Sequence, residues 1–174
     1  MAMAEVVVGA LAGTFGGAAA GWSTAYFTFR MSLRHLALTS TTQRDHAEWE
    51  IQRSATFEAA STVWDEAHRV AALVTALRET GASDLDPGCR HALMQLTFVI
   101  QQRGMVMGDH LQAVFRCNFA LKKLMRYHGS ENGPALAETV LHHLQWVAVS
   151  CMRGTPVPTP PPEFEQARRT LQAR

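Results

Sequence analysis

The residues equipped for chemistry are eight histidines, three cysteines and a thin scatter of carboxylates. His142 and His143 are adjacent, so on a helix their side chains point about 100° apart and do not readily share an ion. Asp65 and His68 lie three apart and face the same way on a helix. A di-metal bundle, however, needs paired carboxylates with Glu-x-x-His motifs on facing helices, and this sequence has none. Cys89, Cys117 and Cys151 are odd in number, widely spaced and free of any Cys-x-x-Cys, which argues against a disulfide framework and against a zinc knuckle. No neighbouring motif would activate a thiolate, so buried, reduced thiols are the expected state. There is no GxSxG, P-loop, HExxH or GxGxxG. No metal, no cofactor and no catalytic residue is therefore expected.

Arg30-Met31-Ser32-Leu33-Arg34-His35 is similar to the Arg-x4-His pattern of the HEPN ribonucleases, which are helical bundles. That resemblance implies a basic pair gathered across a dimer, polarising an RNA 2′-hydroxyl and steadying the phosphate. Arg30 and Arg34 also have a second role available as membrane-edge anchors. A second basic group, Arg116, Lys122, Lys123 and Arg126, gathers toward the end of an expected helix. It suits a solvated face whose later cations meet the helix dipole, with a small anionic ligand, lipid head groups or an acidic partner as alternatives. Net charge is only +1, so nucleic acid is not an expected partner.

The elements that would position these groups begin with an unusual segment. From Val6 to Phe29 no residue is charged, and Gly9, Gly13, Gly17 and Gly21 recur every four positions. As a helix this stretch would span roughly 36 Å, enough to cross a hydrocarbon core of about 30 Å. Trp22 and Tyr26 lie toward the end where Arg30 and Arg34 begin, which suits interfacial anchoring and places the N-terminus outside and the remainder in the cytoplasm. A cleaved signal peptide would want positive charge ahead of the apolar run, and only Glu5 is there. The expectation is an inner-membrane span over residues 1–30.

At 100° per residue, Gly9, Gly13, Gly16, Gly17, Gly21, Ala10, Ala20, Thr24 and Thr28 share one broad face, opposite Leu11, Phe15, Trp22 and Phe29. In lipid, hydrophobicity cannot drive helix association, so close backbone approach must do it, and small residues every fourth position permit that. Glycine inside a helix costs roughly 1 kcal/mol relative to alanine, so the row calls for a compensating contact, most simply with other copies of the chain. Gly9, Gly13, Gly17 and Gly21 are the expected packing positions. Thr24, Thr28 and Glu5 are candidates for lining a central path.

Beyond Arg30 the pattern predicts a cytosolic helical bundle over residues 31–154, then a proline-rich linker and polar tail over 155–174. The first helix is expected to reach about Leu38, with a break or cap at Thr39-Ser40-Thr41-Thr42. A long helix follows from Gln43 to the C-cap Gly81, with Trp49, Phe57, Ala60, Trp64, Ala67, Val70 or Ala71, Val74 and Leu77 along its apolar side. Asp86-Pro87 marks the start of a helix over 87–103. Gly104 to Gly108 interrupts, Asp109 caps a third helix ending at Gly129, and Pro134 opens a fourth that closes at Gly154. The fold class is all-α, since no segment alternates over enough residues to compete as a strand.

In length and order of parts the chain resembles small bacterial single-span membrane proteins, such as the accessory protein of Cas13b CRISPR systems. That resemblance implies an oligomeric pore with a degenerate HEPN-like domain, whose opening depolarises the cell, as an antiphage effector would. The expected function is accordingly a homo-oligomeric pore or channel-like assembly, set or gated by the cytosolic helices. A membrane-tethered adaptor binding a cytosolic protein is the alternative, and a HEPN-like ribonuclease the third.

Overall fold

Helical periodicity governs every regular element of the computed structural model. It describes the backbone of residues 2–127 and 132–173, and side chains at 31, 32, 39, 41–127 and 132–173. The helices are α1 (Ala2–Glu79), α2 (Pro87–Arg103), α3 (Leu111–Met125), α4 (Gly133–Arg153) and α5 (Pro162–Gln172). Two 3₁₀ turns, Gly104–Val106 and Gly108–His110, connect α2 to α3. Among the described residues there is no strand, so the chain is all-α.

The chain divides into two units, Met1–Glu50 and Ile51–Arg174. In the first, the expected break at Thr39–Thr42 does not occur: helical backbone continues through it. The hydroxyl of Thr42 lies 3.5 Å from the Thr39 carbonyl oxygen, so it turns back on the preceding turn instead of capping a new helix. Among the described residues, no helix is long and apolar enough to cross a membrane. The segment expected to span, residues 1–30, has its side chains outside that set.

The second unit is built around one core. Its α1 portion contributes Ala59, Ala60, Val63, Ala67, Val70 and Val74, spaced to fill a single stripe of small and β-branched side chains. Phe57, expected in that stripe, is 53% exposed. It lies six residues from Val63, about 120° around the helix, so the phase excludes it. Trp49, from the same expected stripe, belongs to the first unit and is exposed.

Helix α2 starts as its sequence requires. The Asp86 side chain accepts a hydrogen bond from the Cys89 N–H at 2.6 Å, and Pro87 occupies the first turn. It turns Cys89, Ala92, Leu93, Leu96 and Ile100 inward. At its end Gly104 is buried, and a Cβ there would stand 3.4 Å from Val114 Cγ1. Of the methionines between the glycines, Met107 fills the core and Met105 is exposed.

Asp109 does not cap α3. It lies inside the second 3₁₀ turn, and the residue preceding the helix is His110, which makes no side-chain cap bond. Buried His110 instead donates from Nε2 to the Thr155 carbonyl at 3.1 Å, tying the start of α3 to the segment after α4. Helix α3 ends at Met125, short of the expected Gly129, which falls outside the described residues. Arg90 holds this end. Its guanidinium donates to the carbonyls of Met125 (2.6 Å) and Tyr127 (3.2 Å) while contacting Asp84 at 2.7 Å.

Helix α4 runs from a start capped by the Asn132 side chain, which accepts from Ala135 N–H, to Gly154 in the left-handed region at φ 64°. The C-terminal stretch departs most from expectation. Residues 162–172 form a packed helix, with Phe164, Ala167 and Leu171 buried. Their spacing of three and four gives the helix one apolar stripe, and burying a phenylalanine makes that stripe a structural part of the core.

Candidate functional site

Along α4, positions 138, 142, 145 and 146 share one face, and 139 and 143 flank it, by the spacing of three and four. That face forms one wall of a groove of about 640 Å³, within the range of small-molecule sites. Ala71 and Thr75 of α1, one turn apart and short, form the opposing wall and leave the space open. Thr159, Pro161 and Glu163 supply the third side. The proline-rich segment can stand there because prolines fix φ and carry no N–H that would need a partner.

Two fixed contacts shape the groove. Arg78 of α1 pairs with Glu138 of α4, joining the two walls. Both partners are partly solvated, so the pair contributes little to stability, about 0–1 kcal/mol. Thr139 donates its hydroxyl to the Ala135 carbonyl at 3.0 Å, which leaves its methyl as the group free to face a neighbour.

The adjacent histidines separate as helix geometry demands. His142 is exposed and meets the Trp146 ring edge-on, with centroids 6.3 Å apart and planes at 67°. Trp146 is 61% exposed, an unusual state for the largest apolar side chain. His143 points the other way, is only 4% exposed, and lies 4.3 Å from the Phe164 ring centroid. Its Nδ1 is buried without a hydrogen-bond partner. An orphaned buried polar atom costs about 1–3 kcal/mol, so its presence beside an open groove asks for a reason. Burial lowers the His143 pKa below the ordinary 6.5, against an opposing pull from Glu165 and with help from His142. At neutral pH the ring is therefore uncharged, and Nδ1 accepts or donates one hydrogen bond according to tautomer.

Elsewhere the candidates disperse. Asp65 and His68 do not converge on an ion: the His68 ring stacks on Trp64 at 5.0 Å, and both Asp65 and His68 are exposed. Among the described residues no group of three metal-ligating side chains exists. The three thiols are buried and unpaired as disulfides. Burial pushes Cys89 up to about 11 and Cys117 up to about 12, and raises Cys151 as well, so none is a ready nucleophile. Of the α3 cations, Lys123 lies 5.9 Å over the Phe119 ring, while Arg116, Lys122 and Arg126 are exposed.

Gly9, Gly13, Gly17, Gly21, Glu5, Thr24, Thr28, Trp22, Tyr26, Arg30, Arg34 and His35 all lie in α1, with side chains outside the described residues. Sequence reasoning missed the groove because its third side comes from a stretch read as linker and tail. The signal was present in Phe164, Ala167 and Leu171, an apolar stripe too short to stand out beside the seven polar residues of the same helix. Compared with protein families, with curated proteins and with solved structures, the chain matches none.

Proposed function

We propose that this protein is a homo-oligomeric membrane protein. Its glycine-rich N-terminal helix packs against copies of itself in the bilayer as a pore or channel-like assembly, and its helical bundle sets or gates that assembly. One observation carries the reading: a charge-free run from Val6 to Phe29 with glycine at 9, 13, 17 and 21, in a segment that is helical. A helix that offers lipid one bulky face and one glycine face gains from close contact only if another helix supplies it. Trp22, Tyr26, Arg30 and Arg34 would anchor its inner edge, at the cytoplasmic face of the inner membrane. Thr24, Thr28 and Glu5 would line the path between subunits.

The test is Gly13→Leu with Gly17→Leu in the full chain, followed by native mass spectrometry in detergent and by ion flux in liposomes. The wild type should form a ring and conduct, and the double variant should run as monomers and fail to conduct. A wild-type chain that is monomeric in detergent would end this account.

A second reading is a membrane-tethered adaptor, in which the span only anchors a bundle that binds a cytosolic partner. The exposed Trp146 beside an open groove, and the exposed Met94 and Phe98 on α2, favour it. Such an adaptor would keep its partner and its membrane location in the same double variant.

A further inference from the structure

We propose that the groove between α1, α4 and the proline-rich segment binds an aromatic amine, that is, a flat aromatic ring carrying a cationic ammonium group. The assignment does not depend on how many copies assemble in the bilayer. It follows from three features that converge on one cavity.

Charge comes first. The lining contains two carboxylates, Glu138 and Glu163, and no lysine or arginine. Arg78 already answers Glu138, whereas Glu163 is exposed and enters no ion pair among the described residues. An anionic ligand would find no cation here and would meet an uncompensated carboxylate. A cationic group would find Glu163.

Shape and surface come second. Trp146 presents an indole that its own fold leaves largely uncovered, in a groove that Ala71 and Pro161 also line. A flat ring can stack there, and a nearby ammonium gains from the negative face of the same indole. About 640 Å³ admits a molecule of one or two rings with its side arm.

The third feature is His143. Its ring belongs to the lining and packs against Phe164, with Nδ1 shut off from the groove, so it presents the ligand with a firm aromatic wall. Because burial holds the imidazole neutral, that wall does not repel the cation.

The experiment is isothermal titration calorimetry on the full-length protein in detergent at pH 7.5, using three probes that share one ring system: tryptamine, indole and indoleacetate. Detergent alone supplies the partition baseline. Tryptamine should bind saturably, and indoleacetate should bind roughly tenfold weaker or not at all. Trp146→Ala, at an exposed position that folding does not require, should weaken tryptamine by roughly tenfold. Glu163→Gln should weaken tryptamine several-fold and leave indole unchanged. If indoleacetate binds as well as tryptamine, if Trp146→Ala retains wild-type affinity, or if tryptamine gives only the partition baseline, the assignment is wrong.

Discussion

Two stretches of α1 carry small residues at helical spacing in the sequence, and they differ in what could cover them. Between Ala59 and Val74 the stripe of Ala59, Ala60, Val63, Ala67, Val70 and Val74 is closed by the chain's own core, with Leu93, Leu144 and Phe164 among its members. The remaining face of that stretch carries charge: Asp65, Glu66 and Arg69, with Glu66 and Arg69 joined at 2.5 Å. Between Val6 and Phe29 the sequence holds no charge on any face, and the small residues are glycines. The contrast separates two uses of the same device. Alanine and valine leave enough side chain to bury in water, where hydrophobicity rewards burial. Glycine leaves almost none, and is useful where the gain must come from backbone approach.

The largest expected effect is the double change Gly13→Leu and Gly17→Leu, which should abolish assembly while leaving the bundle's melting temperature unaltered. A fall in both would mean that the two stretches are not independent. Next comes Phe164→Ala, which removes a fully buried ring and should cost about 3–5 kcal/mol by chemical denaturation. A cost near zero would show that the C-terminal helix is not part of the core. Ala67→Leu overfills a fully buried position and should cost about 1–3 kcal/mol with oligomer size unchanged.

The smallest effect concerns pH. Because burial lowers the His143 pKa, the unfolded chain takes up a proton more readily than the folded one. The stability associated with the neutral ring is fully present above about 6.5 and is lost as pH falls through the lowered folded value. Thermal melts between pH 7.5 and 5 should therefore show a decline that is shallower in His143→Phe. Identical slopes would mean that the ring is protonated as easily inside as outside.

Where local chemistry decides, the chain was legible. Asp86-Pro87 announces α2, and Pro134, then Gly154, brackets α4, because a cap or a missing N–H acts on the turn beside it. Where the decision is shared across the chain, residues misled. Asp109 has the right type for an N-cap, but the 3₁₀ turns around Gly108 place His110 at that position. Thr39 to Thr42 looked like a cap, yet threonine hydroxyls can be satisfied by the preceding turn. Phe57 failed by phase alone. The groove could not be found locally, since no one segment contains more than part of it.

Sequence by itself determined that the chain is helical, where α2 and α4 begin, and that residues 6–29 carry a glycine row without charge. Those properties are written in spacing and in residue type, which act over one or two turns. Only the tertiary structure decided that the tail closes the core, that His143 is buried neutral while His142 faces out, and that Trp146 borders an open groove. Such outcomes depend on which surfaces are taken from water together, and that is settled by residues far apart in the chain.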